Sequence, residues 1–375
     1  MYLTSIKEGT IPTAETTTLI DELFGAEPRV NYDYYHTVTQ EISRYNGIQI
    51  PNYEQKINKH INMLFNFLSN HNVSEMYSEF KIPKHTGGFR TIDAPNDELK
   101  TFMREYTKEF MRDFKVLPHD SAYAYIKKRS VIDAVKVHQD NKSRWFLKVD
   151  LKDFFGSCSP EFIVEQLSKL YPFAMGDNDK VRFFNLLTEL SCLNGKLPQG
   201  TPISPWLTNL IMVEFDYKIT KLLNNLHTME FKKQRYVYTR YADDILISAK
   251  EKFDYQTVVN MIKDIFKDTP LTIKDEKTRF GSNAGRNWNL GIMYNKDNVL
   301  TIGHKKKRQI KDNIYYFIKF KDNFDLEQCQ WLQGNISWMQ SVEPEYTTGL
   351  LQYYKDKFNV DVITDITSKI KSFSN

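Results

Sequence analysis

The sequence predicts an α+β chain, a small antiparallel sheet flanked by helices, and three stretches carry that prediction. Tyr236 to Ser248 places β-branched and aromatic runs on both sides of a short polar centre, Ala242-Asp243-Asp244, which reads as two strands joined by a tight turn. Leu207, Leu210, Ile211, Phe215, Ile219 and Leu222 recur at helical spacing and predict a helix packed on that sheet. Leu326 to Phe358 predicts two or three further helices, with Trp331, Leu332, Ile336, Trp338 and Met339 in their core.

The chain has 375 residues, enough for two or three domains or subdomains around a sizeable core. Its net charge of +4 is too small to announce a nucleic-acid partner, so the basic residues count by where they cluster. The three cysteines, Cys158, Cys192 and Cys329, are far apart and lack metal-ligand spacing, which argues against zinc and against a disulfide framework. There is no internal repeat. The N-terminus has no apolar signal core and no run is long enough to span a bilayer, so a cytoplasmic protein away from membranes is expected.

Residues 1–75 read as a helical N-terminal extension. A helix opens near Asn31 to His36, and another covers Tyr53 to Leu68 with Ile57, Ile61, Leu64, Phe65 and Leu68 on one side. Its aromatics suit helix packing better than base stacking. Phe80 to Pro95 reads as a β-hairpin whose tip holds Gly87-Gly88. Lys84 and Arg90 flank the tip; they are either solvated charges or a point charge and a bidentate fork suited to a triphosphate. Leu99 to Phe114 is a helix with Phe102, Tyr106, Phe110 and Met111 on one face, and Ile132 to His138 is another. Between them Lys127-Lys128-Arg129 fits phosphate contact and a solvated face equally well.

Trp145-Phe146-Leu147-Lys148-Val149-Asp150 is a strand ending in a carboxylate. In Leu197-Pro198-Gln199-Gly200-Thr201-Pro202-Ile203-Ser204-Pro205, Ser204 is the expected helix cap and Pro205 the first-turn proline. At Asp243-Asp244 two like charges share a turn, an arrangement that calls for a divalent cation or is an ordinary Asp-rich turn. A helix from Tyr255 to Phe266, a strand near Leu271-Thr272-Ile273 and a charged loop containing Lys277 follow. Trp288 to Met293 then precedes a basic run, His304-Lys305-Lys306-Lys307-Arg308 with Lys311, that opens a helix.

Three of these stretches, in this order, resemble the motifs of reverse transcriptases: Trp145 to Phe155, Leu197 to Pro205, and Arg240-Tyr241-Ala242-Asp243-Asp244. The resemblance runs over about residues 75 to 360. It implies the right-hand polymerase fold, with fingers at 76–139, a palm at 140–285 that includes the catalytic hairpin 236–248, and a primer-grip hairpin and helical thumb at 286–375. It implies RNA-directed DNA synthesis with two Mg²⁺ ions about 3.5–4 Å apart, for which Mn²⁺ is a substitute. By the family pattern Asp150 and Asp243 hold both metals, Asp244 is the third catalytic carboxylate, and the Leu151 carbonyl helps the nucleotide-side metal. Lys84, Arg90, Asp153 (through its backbone), Gln199 and Gly200 border the nucleotide, and Lys277 fits the lysine near the departing pyrophosphate. Phe155 stands where the family has an aromatic gate that rejects a 2′-hydroxyl. Lys305, Lys306, Lys307, Arg308 and Lys311 follow the primer-grip-like hairpin and are expected on phosphates. The expected partners are dNTPs, a DNA primer or product, and a template RNA, in one reading a dedicated non-coding RNA.

Too little chain follows the thumb for a ribonuclease H or integrase domain, so a stand-alone bacterial or phage-type enzyme is expected. Retron enzymes have a similar palm. Their Asn-Ala-x-x-His is replaced by Asp133-Ala134-Val135-Lys136-Val137-His138, and their Val-Thr-Gly by Leu290-Gly291-Ile292, which counts against them. By elimination the chain resembles antiphage-defence and abortive-infection enzymes. Retron-type synthesis of RNA-linked single-stranded DNA, protein-primed or untemplated synthesis, and a non-enzymatic RNA scaffold are the alternatives. Oligomeric state and partner proteins stay open.

Overall fold

A computed structural model describes residues 50–83, 87–173, 179–229, 234–285, 288–295 and 297–373. The helix expected at Asn31 and the side chain of Lys84 lie outside the described residues. The fold is α+β, as the sequence predicts. The chain divides into two compact units: the first takes the described residues up to Arg129, Lys148–Ile247 and Asp254–Thr278, the second Ser130–Leu147, Ser248–Phe253 and the described residues from Arg279 onward.

In the first unit, α1 (Tyr53–Asn70) buries Ile57, His60, Ile61 and Leu64 along one stripe. Phe65, expected on that stripe, is exposed. The hairpin β1 (Tyr77–Pro83) and β2 (Phe89–Pro95) pairs Pro83 with Phe89 and Ile82 with Arg90, and Gly87 and Gly88 make the turn at φ 88° and 79°. Helix α2 (Asp97–Phe114) is capped by the Asn96 side chain, which accepts from Leu99 N at 2.9 Å. It buries Leu99, Met103, Tyr106, Phe110 and Phe114, one residue per turn, whereas Met111 faces solvent. Helix α1 packs on a later helix, α5 (Asp179–Ser191). Between them lies an aromatic core: Phe114 sits 5.0 Å from Phe173 and Phe110 4.7 Å from Trp206, ring centre to ring centre. His60 is buried there against Asp113 at 3.2 Å.

The central sheet has the order β4-β5-β3-β6. Strands β3 (Trp145–Asp150) and β5 (Asp244–Ala249) each begin in one unit and end in the other. Their acidic ends lie in the first unit, where β4 (Val237–Tyr241) belongs; β6 (Arg279–Ser282) belongs to the second. Helix α4 (Pro160–Ser168) packs on α5 and on α6 (Ser204–Ile211), and α7 (Val213–Met229) follows after Met212. The single helix expected from Leu207 to Leu222 is thus two, although Asp216 N still donates to Met212 O at 2.8 Å across the break. Ser204 is not the cap. It is the first helical residue, and Thr201 Oγ1 accepts its amide at 3.2 Å, because the chain before it turns one residue earlier than the motif suggests. Helix α8 (Tyr255–Ile265) completes the unit, and the strand expected at Leu271–Ile273 is reduced to one bridge, Ile273 to Leu151.

In the second unit, α3 (Val131–Asp140) starts with a capping box between Ser130 and Asp133. A small sheet, β7 (Trp288–Asn289), β8 (Ile292–Tyr294) and β9 (Leu300–Thr301), is tied to that helix by Tyr294 Oη donating to Val135 O at 2.7 Å. Buried His138 meets Ser248 Oγ at 2.6 Å, and Ser248 donates to Ser143 at 2.7 Å. Helices α9 (His304–Lys319), α10 (Leu326–Val342), α11 (Pro344–Phe358) and α12 (Val362–Ser372) pack as a bundle. Leu332, Ile336 and Met339 form its core as expected, while Trp331 and Trp338 are only half-buried. Among the described residues no helix is long and apolar enough to cross a membrane.

Candidate active site

The turn between β4 and β5 is two residues long, so Asp243 closes the turn and Asp244 opens the next strand. Ala242 adopts φ 56°, a left-handed conformation that disfavours any Cβ by roughly 1–2 kcal/mol. The surrounding bonds enforce it. Arg240 Nη1 donates to the Ala242 carbonyl at 3.2 Å, and Leu151 N donates to the Asp243 carbonyl at 3.1 Å. The second bond ties the exit of β3 to the turn and sets Asp150 beside Asp243. Lys274 N to Asp150 O (2.8 Å) and Lys152 N to Thr272 O (2.8 Å) fix the other side of that exit.

Asp150, Asp243 and Asp244 therefore stand at one end of the sheet, and two lysines meet two of them. Lys277 Nζ donates to both oxygens of Asp150 at 3.0 and 2.9 Å, and Asp150 is only 6% exposed. Lys148 Nζ lies 3.0 Å from Asp244 Oδ1, an ion pair made without an aligned hydrogen bond. Asp243 is paired with no lysine among the described residues. Burial first, then the charges of Asp244 and Asp150, push its carboxyl above the usual carboxylate range, against a backbone hydrogen bond and Lys277. Donating to Asp150 raises the Lys277 ammonium above its ordinary range.

No three His, Cys, Asp or Glu side chains converge as a ready-made metal cluster among the described residues. The donor set nevertheless fits a hard divalent cation. It is all oxygen, burial and the neighbouring carboxylates raise the Asp243 carboxyl, and the other two carboxylates are paired with flexible ammonium groups that a metal can displace.

The residues expected beside a nucleotide also belong to the first unit. Arg90 is exposed on β2. Gln199 O accepts from Asp93 N at 3.0 Å, which joins the Gln-Gly loop to that strand. Gly200, at φ 124°, has a reason beyond the nucleotide: a Cβ there would lie 2.9 Å from Asp93 O and 2.9 Å from Ile92 Cγ2. Phe154 is core, 2% exposed, and Phe155 is half-exposed beside it, edge to face at 5.8 Å. Asp153 turns outward at φ 43° and lays its carboxylate over Gly156, apart from the three-carboxylate group.

In the second unit the basic run divides. Lys307 pairs with Glu343 at 2.8 Å and caps the Tyr346 ring at 4.6 Å, while Lys306 caps Trp331 at 4.9 Å. Lys305, Arg308 and Lys311 are exposed. In the first unit Arg129 Nη1 donates to the Asp120 and Ala122 carbonyls, a structural task that the basic trio 127–129 did not reveal.

Three features were missed from sequence. Lys148 shares a strand face with Asp150, and the two-residue alternation of β3 is a signal that could have found it. Tyr125, at φ 60° and 55% exposed, has its phenol raised first by burial and then by the Asp243 and Tyr241 charges, with Arg90 opposing. The third is Arg240 with Asp216, both fully buried; only the structure shows where their side chains go.

Residues 82–326 match the family described as reverse transcriptase (RNA-dependent DNA polymerase). The retron Ec83 reverse transcriptase of Escherichia coli is 28% identical over 287 residues, covering 74% of this chain and 86% of that protein. The retron Mx162 reverse transcriptase of Myxococcus xanthus is 26% identical over 293 residues, covering 72% of this chain and 58% of that protein. Among solved structures, apo telomerase from Candida tropicalis aligns at a TM-score of 0.46 with 13% identity, over 82% of this chain and 65% of that one.

Proposed function

We propose, for a chain that belongs to the reverse transcriptase (RNA-dependent DNA polymerase) family, that Asp150, Asp243 and Asp244 form the catalytic carboxylate group of an RNA-directed DNA polymerase. Family membership makes the chain an RNA-directed DNA polymerase with a right-hand fold and a need for divalent cations. The observation that supports this site assignment is the Leu151 N to Asp243 O bond, which brings carboxylates 93 residues apart in sequence (243 − 150) onto one edge.

Asp150 and Asp243, with the Leu151 carbonyl, would hold two Mg²⁺ ions, and Asp244 would stand towards the primer end. Bound there, the metals would lower the pKa of the primer 3′-hydroxyl and neutralise the pyrophosphate leaving group. Arg90 and Lys84 would grip the triphosphate, Gln199 and Gly200 would border the base pair, and Asp153 would offer backbone. Phe155 would sit under the sugar and exclude ribonucleotides. Lys277, which donates to Asp150, would once released give a proton to the departing pyrophosphate. Lys305, Arg308 and Lys311, being exposed, are the members of the basic run assigned to phosphates. In this reading fingers, palm and thumb follow the bounds 76–139, 140–285 and 286–375.

We infer retron-type synthesis, with a dedicated RNA as template and an RNA-linked DNA as product, because the relatives are retron enzymes. One of the two motif departures that counted against it, at Asp133 to His138, concerns structural positions. Asp133 is occupied in a helix cap and His138 is buried on Ser248. A role in antiphage defence would follow from that product.

The test is dNTP incorporation by purified protein with Mg²⁺, on co-purifying RNA and separately on poly(rA)/oligo(dT). Asp243→Asn/Asp244→Asn is the control. Incorporation lost in the control supports the site; DNA joined covalently to RNA in the product supports the retron reading. Activity that survives in the control would sink the carboxylate assignment.

A further inference from the structure

We propose that Arg240, locked by Asp216, is a positioning residue for the catalytic turn: its guanidinium fixes the Ala242 carbonyl and thereby the placement of Asp243 and Asp244. The inference rests on the polymerase reading of this site and deepens it.

Arg240 and Asp216 are both 0% exposed. Arg240 Nε donates to Asp216 Oδ1 at 2.9 Å and Nη2 to Oδ2 at 2.8 Å, a two-pronged pair that fixes the plane of the guanidinium. The remaining nitrogen, Nη1, reaches Asn209 Oδ1 at 3.1 Å and the Ala242 carbonyl at 3.2 Å. Tyr238 Oη donates to Asp216 Oδ1 at 2.5 Å and holds the carboxylate from the other side. Every nitrogen of the fork is used, and one of its contacts is the strained residue immediately before Asp243.

A buried ion pair contributes little stability compared with apolar side chains of the same volume, so folding alone is a weak reason for this one. Its location is a better reason. The pair anchors the turn to α7, a helix fixed independently in the core, and not to the neighbouring strand alone. The same residue also organises the opposite wall. Arg240 N donates to Ser121 O at 2.7 Å, Tyr123 N donates to Arg240 O at 2.8 Å, and Asn209 Nδ2 holds the Ala124 carbonyl at 2.8 Å. That segment leads directly into Tyr125. One guanidinium therefore sets the catalytic turn and, through Asn209, the chain that carries Tyr125. Lysine retains the charge but has a single donor centre and cannot span Asp216 and Ala242 together.

The test compares Arg240→Lys with Tyr238→Phe, which removes one donor to Asp216 and leaves the fork intact. Both are measured for melting temperature, for kcat and dNTP KM on poly(rA)/oligo(dT), and for Mn²⁺ binding to nucleic-acid-free protein. Arg240→Lys is expected to melt cooperatively, to lose about tenfold or more in kcat with dNTP KM near wild type, and to bind Mn²⁺ more weakly. Tyr238→Phe is expected to melt lower yet keep kcat and Mn²⁺ binding. Wild-type kcat and Mn²⁺ affinity in Arg240→Lys would overturn the proposal. So would loss of its cooperative melt, or a kcat that falls in step with melting temperature in both variants, since each assigns the pair to folding. If the wild-type protein proves inactive both on poly(rA)/oligo(dT) and on co-purifying RNA, the polymerase reading fails, and Mn²⁺ binding still reports on the positioning.

Discussion

Lys277 Nζ lies 3.0 and 2.9 Å from the two carboxylate oxygens of Asp150. If Asp150 holds the proposed metal, the lysine would compete with the cation for that carboxylate and, once displaced, would be free to protonate a leaving group. Replacing it separates the two effects. Lys277→Met should bind Mn²⁺ more tightly in the absence of nucleic acid, while its kcat falls by about 10²-fold or more. A titration followed by electron paramagnetic resonance, paired with single-turnover incorporation, checks both; tighter binding with unchanged kcat would leave the lysine a placeholder only.

Asp243 carries its charge at a cost to the fold. Its carboxyl is raised, so the folded protein loses stability as pH rises through that raised value. In EDTA at neutral pH, Asp243→Asn should melt higher than wild type by a few degrees at most. The gap should close as pH falls through that raised value, where wild type takes up the proton. Mg²⁺ should raise the melting temperature of wild type and leave the variant nearly unmoved.

The half-exposed Phe155 ring is the candidate sugar gate, and Phe154 is its fixed neighbour. Phe155→Val should increase the kcat/KM for rNTPs relative to dNTPs by about tenfold or more, with little change in melting temperature. Competing rUTP and dTTP on poly(rA)/oligo(dT) measure it. An unchanged ratio would move the gate elsewhere.

Gly200→Ala forces a Cβ within 2.9 Å of the Asp93 carbonyl at a φ of 124°. Backbone must move on one side or the other, so a loss of about 1–3 kcal/mol is expected. Dislodging the Gln199 loop should also raise the KM for dNTP. Denaturant melts and steady-state kinetics on the same preparation test the two together.

Acid should weaken this protein through its buried histidines. Burial pushes His138 down to about 3 and, against the pull of Asp113, His60 down to about 4. The unfolded chain takes up these protons near pH 6.5 and the folded one does not. Their stabilising contribution is complete above that value and is lost as pH falls through the window below it, by at most about 1.4 kcal/mol per pH unit for each histidine. His138→Gln should flatten the slope of melting temperature against pH between about 6.5 and 4; an identical slope would place the acid sensitivity elsewhere.

Much of this architecture could be read from residue types because it depends on local pattern. The alternating β-branched residues around Asp243, the glycine pair at 87–88 and the helical stripe on α2 each determine their own element. What escaped depends on partners distant in sequence. Nothing near Arg240 names Asp216 as its counter-ion, and nothing near Lys148 names Asp244. Ser204 looked like a cap because Ser before Pro usually is one; the helix instead begins at Ser204 itself, after Ile203, and the Thr201 hydroxyl accepts its amide. Lys306 and Lys307 looked available for phosphates because their neighbours are basic, yet a tryptophan, a tyrosine and a glutamate far along the chain engage them.

The chain passes from one compact unit to the other five times, at 129/130, 147/148, 247/248, 253/254 and 278/279. A single genetic crossover between two such genes would therefore not exchange a whole unit. A recombinant joined at 278 would inherit α3 and the starts of β3 from one parent and the helical bundle that shares their unit from the other. Variation in the bundle is expected to arise by point substitution and loop insertion, and chimeras built at the bundle boundary should be rescued by also transplanting residues 130–147 and 248–253.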